Sequence, residues 1–103
     1  METKNVKILV VDDHAIVRDG IKTMLEMGDF DHYNFTILEA SNGEETMSML
    51  KSNAFDIVLM DYQLEEMDGS SLTSVVIKEY PEQQILALSN YDDIEFAANM
   101  LKA

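Results

Sequence analysis

Cysteine is absent from this 103-residue chain, so disulfide scaffolds, thiolate zinc sites and cysteine nucleophiles are all excluded. Basic residues are scarce: seven Lys and Arg stand against 20 Asp and Glu, for a net charge of -13. That balance repels phosphate backbones and anionic lipid, so the chain itself is expected to bind neither nucleic acid nor a membrane surface. Divalent cations and basic partner surfaces are attracted instead. No apolar run approaches a membrane span, and the opening METKNVK lacks the apolar region of a signal peptide. A reducing, cytoplasmic setting is the expectation. Proline occurs once, at Pro81, and no repeat, low-complexity tract or linker interrupts the chain. What remains is a globular composition, 47% hydrophobic and 26% charged, sized for a single domain over residues 1–103.

Short apolar runs alternate with amphipathic stretches. Lys7–Val11 (KILVV) is apolar at nearly every position and ends abruptly at Asp12-Asp13, which suits a strand covered on both faces. Val17, Ile21, Met24 and Leu25 then fall on one face of a helix that Gly28-Asp29 stops. Phe35–Ala40 (FTILEA) alternates as a second strand. Ser41, three residues before Glu44, reads as a capping box opening a second helix whose apolar face is Met47, Leu50 and Ala54. Asp56–Met60 (DIVLM) is the third strand, followed by Asp61. A polar loop to Gly69 leads into a helix with Leu72, Val75 and Val76 inward, closed before Pro81. Gln84–Leu88 (QILAL) is the fourth strand, ending at Ser89. A last helix carries Asp92 and Glu95 in capping-box spacing and Ile94, Ala97, Ala98 and Leu101 on one face. This β-α-β-α-β-α-β-α order predicts an α/β fold, a doubly wound parallel sheet with helices on both faces. Ligands of such sheets bind beyond the carboxyl ends of the strands.

Asp12 and Asp13 close the first strand, Asp61 the third and Ser89 the fourth. If the first and third strands are neighbours, three carboxylates converge on one crevice, at a cost in repulsion and desolvation that a hard divalent cation relieves. Oxygen donors without a His or Cys pair suit Mg²⁺. A carboxylate beside Mg²⁺ is also a competent nucleophile towards phosphorus, and a hydroxyl such as that of Ser89 can bond a transferred phosphoryl oxygen. One aspartate after a strand is more often a helix N-cap, and Asp13 is placed to cap the first helix. Three such aspartates are not accounted for in that way. Ser89 alone is as well explained as a turn or cap residue.

The stretches VKILVVDDHAIVRDGI, DIVLMDYQLEEMDG and ILALSNYDD resemble, in order, spacing and strand context, the signature stretches of the receiver domains of bacterial two-component response regulators. The resemblance runs from Val6 to the C-terminus. It implies the flavodoxin-like strand order 2-1-3-4 and makes Asp61 the phosphoacceptor for a sensor histidine kinase. It also implies a Mg²⁺ site formed by Asp12, Asp13, Asp61 and the backbone carbonyl of Gln63, with Ser89 as the switch hydroxyl. Gln63 and Tyr91 match the two variable positions that flank the attacking water, and their bulk is expected to slow autodephosphorylation. VDDHAIVRDG looks most like receivers fused to a helix-turn-helix output domain, so DNA binding and control of transcription are expected from an output domain outside this chain.

The sequence departs from the family at its end. Receivers continue with a fifth strand, a lysine at that strand's end and a fifth helix; the chain stops at Leu101-Lys102-Ala103, so the fifth β/α unit is expected to be missing. Losing the lysine removes a charge-assisted contact worth about 1.5–3 kcal/mol. An exposed fourth strand and last helix then predict self-association or reduced stability, unless the chain is a fragment. Successive residues leaving a strand point in different directions, so His14 is not expected to join Asp12 and Asp13; it reads as an exposed or capping residue, and His32 as a solvated loop residue. DYQLEEMDGSSL fails as a calcium loop, with Glu66 and Leu72 where Gly and Glu are needed. The eight methionines read as core filler. The leading expectation is therefore a phosphorylated signalling module rather than a turnover enzyme. The alternatives are an unphosphorylated pseudo-receiver scaffold, a haloacid-dehalogenase-like phosphohydrolase, which wants an acid where Gln63 stands, and a flavodoxin-like flavin carrier, whose phosphate loop the Asp-Asp pair does not resemble.

Overall fold

The computed structural model describes residues 4–27, 33–61 and 69–88. Among these the elements are β1 (Lys4–Val11), α1 (Ala15–Met27), β2 (Tyr33–Ala40), α2 (Gly43–Ser52), β3 (Ile57–Asp61), α3 (Gly69–Glu79) and β4 (Ile85–Leu88). The strands form one parallel sheet in the order β2-β1-β3-β4, which is the expected doubly wound α/β arrangement. The last helix expected over 92–101 lies outside the described residues.

Period-two alternation along β1 divides the core into two layers. Val6, Ile8 and Val10 pack with Ile21 and Leu25 of α1 and Leu59 of β3. Leu9 and Val11 face the other way, joining Leu50 of α2, Val58 and Met60 of β3, and Leu72 and Val76 of α3. Both faces of β1 are therefore covered from Ile8 to Val11, which is why that stretch is apolar without a break.

Several boundaries and faces differ from expectation. β2 begins at Tyr33 rather than Phe35, where Tyr33 and Phe35 stack 6.0 Å apart. β3 runs through Asp61, because that residue still pairs with Leu88 of β4. The cap of α2 is Asn42, not Ser41. Its side chain accepts from the Glu45 amide at 2.8 Å, while the Glu45 carboxylate reaches back to the backbone and hydroxyl of Ser41. The cap falls one residue later than predicted, and the Glu45 return bond goes to Ser41, the residue before the cap, instead of to the cap's own amide. These bonds hold the Glu45 carboxyl below its usual range. Ala54 lies beyond α2 and is exposed; Thr46 instead occupies a wholly buried position, its hydroxyl donating to the Asn42 carbonyl at 2.7 Å.

Val17 and Val75 were predicted inward and stand partly exposed. On α1 the buried pair is Ile21 and Leu25, and on α3 it is Leu72 and Val76, each spaced i to i+4. A helix resting on a flat sheet buries a narrow stripe, and neighbours to either side of it remain wet. Leu9→Ala, in the central strand, is expected to lower unfolding free energy by about 2–5 kcal/mol. Ile16→Ala, at a position 87% exposed, is expected to change it by under about 0.5 kcal/mol. Urea unfolding of both variants checks the layering, and equal losses would refute it.

Candidate functional site

The site is set by where parallel strands end. Val11, the last residue of β1, pairs with Ala40 of β2 and Met60 of β3. The next residues, Asp12 after β1 and Asp61 on β3, are therefore carried to the same edge of the sheet. The Asp12 amide donates to the Ala40 carbonyl at 3.1 Å, extending the β1–β2 ladder by one bond and fixing the backbone beneath the first carboxylate. Asp12 then turns the chain: its Oδ1 accepts the His14 amide at 2.8 Å, an aspartate bonding its own backbone two residues on. His14, not Asp13, stands at the head of α1, its carbonyl accepting from the amides of Val17 and Arg18.

This turn folds the imidazole back onto the acids. His14 Nδ1 lies 3.1 Å from Asp12 Oδ1 and 2.8 Å from Asp13 Oδ1. One donor atom from each of Asp12, Asp13, His14 and Asp61 lies within 4.8 Å of all the others, close enough to hold a metal ion. The expectation that His14 points away is thus wrong, because a side-chain-capped turn replaces the extended geometry on which it rested. His14 is nevertheless exposed, as expected; its side chain keeps 62% of its accessible surface, against 8% for Asp12 and 11% for Asp13. The Asp12 hydrogen bond, followed by the charge of Asp13, raises the imidazole pKa above the ordinary 6.5, with smaller contributions from the charges of Asp12 and Asp61.

Arg18, which sequence reasoning passed over, supports the acid turn from α1. Its guanidinium donates to the Asp12 carbonyl and, through Nε, to Glu39 Oε1 of β2 at 3.1 Å. Lys22, one turn on, reaches the other Glu39 oxygen at 3.6 Å. The only advance signal is spacing: Arg18 and Lys22 recur at i and i+4, flanking the predicted apolar stripe. Of the other predicted site residues, Gln63, Ser89 and Tyr91 lie outside the described residues. A cavity of about 820 Å³ between the 50–55 and 79–83 segments adjoins the starts of β3 and β4, away from the acids.

Residues 8–103 match the family model described as the response regulator receiver domain. The chain is 29% identical to the transcriptional regulatory protein DegU of Brevibacillus brevis, over 94% of its own length and 40% of that protein. It is 32% identical to the response regulator GacA of Pseudomonas syringae, over 95% of its length and 44% of that protein. It therefore spans about two fifths of the length of these curated relatives. A solved structure of the response regulator TrrA from Thermotoga maritima, in complex with Mg²⁺ and BeF, superposes with a TM-score of 0.69 at 25% identity. The match covers 95% of this chain and 81% of that one. A LuxR-family two-component response regulator from Aurantimonas superposes with a TM-score of 0.70 at 25% identity, covering 97% of this chain and 71% of that one.

Two outcomes follow from the geometry. Arg18→Met is expected to cost about 1.5–3 kcal/mol in urea unfolding, the value of a charged donor on a buried-side carbonyl. Lys22→Met, whose partner is distant and solvated, is expected to cost under about 1 kcal/mol; equal costs would remove Arg18 from its supporting role. In metal-free protein, the His14 ring is expected to titrate above 6.5 by NMR and to move down in Asp12→Asn. Because the folded value is raised, the stability this contact contributes is present below 6.5 and is lost as pH rises through the raised midpoint. A midpoint at or below 6.5 would contradict the contact.

Proposed function

The chain belongs to the response regulator receiver domain family, and from that premise we propose that it is a Mg²⁺-dependent phosphoacceptor signalling domain, phosphorylated on Asp61. The observation that supports this reading is the strand register, which sets Val11 opposite Met60, together with the cluster in which one oxygen each of Asp12, Asp13 and Asp61 lies within 4.8 Å of the others. Asp12, Asp13, Asp61 and the carbonyl of Gln63 would hold the cation. Three carboxylates supply hard oxygen donors and net negative charge, the donor chemistry that Mg²⁺ accepts. Held there, the cation would supply positive charge to offset that of the phosphoryl group.

The chemistry falls to Asp61. One of its carboxylate oxygens attacks the phosphorus of a phosphohistidine on a sensor histidine kinase; a P–O bond forms, the P–N bond breaks, and the electron pair leaves with the imidazole nitrogen. Asp12 and Asp13 repel the incoming phosphate unless their charge is offset, which makes acceptance cation-dependent. Ser89 donates its hydroxyl to a phosphoryl oxygen and thereby reports the modified state. Water later attacks phosphorus, the aspartyl O–P bond breaks, inorganic phosphate leaves and Asp61 returns as carboxylate; the family resemblance makes Gln63 and Tyr91 the residues that slow this step. Turnover of a diffusible substrate is no part of this role.

The partners are then a sensor histidine kinase and an output domain of the kind that transcriptional regulators carry, in the cytoplasm. The names of the relatives support a transcriptional output, and among the described residues no helix is long and apolar enough to cross a membrane. The domain as proposed is residues 1–103, acting as the receiver.

Intact mass after incubation with acetyl phosphate and Mg²⁺ tests the proposal. One phosphoryl adduct is expected on the unmodified chain, none with EDTA and none in Asp61→Asn. An adduct that persists in Asp61→Asn would move the acceptor elsewhere. No adduct on folded protein would leave a protein-binding scaffold as the better reading.

A further inference from the structure

We propose that His14 supplies a fourth, nitrogen ligand to the cation held by the acid pocket, so that this pocket favours Mn²⁺ over Mg²⁺ more strongly than its carboxylates alone would. The inference rests on the preceding reading of Asp12, Asp13 and Asp61 as the cation's oxygen ligands and concerns what stands beside them.

Geometry carries the argument. The ring nitrogen Nδ1 sits 2.8 and 3.1 Å from one oxygen of each neighbouring aspartate. Those are separations that adjacent ligands adopt around one small cation, with bonds of about 2.1 Å at right angles. The Asp61 oxygen completes a set of four donors, all within 4.8 Å of one another. The ring is held there by its own backbone, since the bond from the His14 amide to Asp12 Oδ1 fixes the turn that brings the imidazole over the acids. In the tautomer with its proton on Nε2, Nδ1 keeps a lone pair free for a metal and is one of the four clustered donor atoms. Its 62% exposure leaves the Nε2 edge in water, so ligation buries no unsatisfied donor.

Chemistry sets the preference. Mg²⁺ is hard, takes oxygen donors and keeps several waters, so an imidazole adds little to its binding. First-row transition cations accept imidazole alongside carboxylate. A site of three oxygens and one nitrogen therefore separates two ions of the same charge that three carboxylates bind more evenly.

The test measures Mn²⁺ and Mg²⁺ binding by calorimetry, and Mn²⁺ coordination by pulsed EPR, on the full chain and its His14→Ala and His32→Ala variants. Nitrogen modulation of the Mn²⁺ echo is expected in the unmodified chain and in His32→Ala, and is expected to vanish in His14→Ala. The Mn²⁺-to-Mg²⁺ affinity ratio is expected to fall on the order of tenfold in His14→Ala, with circular dichroism unchanged because the position is exposed. Binding of both ions without nitrogen modulation, or with an unchanged ratio, would overturn the assignment of His14 and leave the carboxylate site standing. Tighter Mg²⁺ binding in His14→Ala without nitrogen modulation would mean that the ring competes with the cation, and would overturn it equally. No binding of either ion, in folded protein, would overturn the carboxylate site itself and this inference with it.

Discussion

The parallel pairing of β1 with β3 is the constraint on which the rest of this structure depends. Its register sets Val11 opposite Met60, and so decides that Asp12, just past β1, and Asp61, the last residue of β3, stand at the same edge of the sheet. The two core layers hold that register in place. Ile8 and Val10 serve one layer while Leu9 and Val11 serve the other, with Leu59 and Met60 divided in the same way. Both faces of these strands are apolar, so a slip of one residue would not by itself expose a hydrophobic row. It would, however, exchange side chains between two differently shaped layers and carry Asp12 or Asp61 out of step with the strand ends. Burial also outweighs the repulsion it creates. Two unit charges about 4 Å apart repel by roughly 4 kcal/mol at an effective dielectric near 20, whereas each buried aliphatic side chain contributes about 1.5–3 kcal/mol. The pocket is affordable only because the sheet beneath it is so well covered.

Much of this was legible in the sequence, and the reasons are specific. Strands covered on both faces read as unbroken apolar runs, so KILVV and DIVLM stood out, and so did the aspartates that end them. Helix faces were legible where two anchors lie at i and i+4, as for Ile21 with Leu25, and less so for the flanking Val17 and Val75, whose hydrophobicity alone does not say which edge of the stripe the sheet covers. The α2 cap is ambiguous by one residue in the sequence because Ser41-to-Glu44 and Asn42-to-Glu45 are the same spacing pattern in consecutive registers. Nothing one-dimensional separates them. The backbone does, by bringing Asn42 Oδ1 to the Glu45 amide.

The position of the His14 ring is hidden from the sequence for a different reason. Period-two reasoning holds for residues inside a strand, and Asp12 is the first residue beyond one. An aspartate there competes for the backbone: its side chain takes the amide two residues on and curls the chain into a turn. The signal is present in Asp12-Asp13-His14 followed by an amphipathic stretch, since an aspartate two residues before a helix cap is a turn former as well as a candidate ligand. One side chain does both here. The same Oδ1 that faces the His14 ring also fixes the His14 backbone, so the entrance to α1 and the composition of the site are not independent features.

The two ends of the sheet show that the acid cluster is more than a by-product of an acidic composition. At the start of β3, each charged group is met by backbone or neutral partners. Asp56 and Lys7 exchange backbone and side-chain bonds, the Asp56 carboxylate accepting the Lys7 amide at 2.7 Å and the Asp56 amide donating to the Lys7 carbonyl at 2.8 Å. The Lys7 ammonium donates to Asn53 and lies 5.4 Å above the ring of Phe55. At the opposite end, the same pair of strands gathers three carboxylates and one imidazole, and the nearby guanidinium of Arg18 is directed to the Asp12 carbonyl and to Glu39. A chain with so few basic residues places one beside the pocket and aims it at the backbone beneath the acid pair. That arrangement fixes the position of the carboxylates while preserving their collective charge, as the proposed cation site requires.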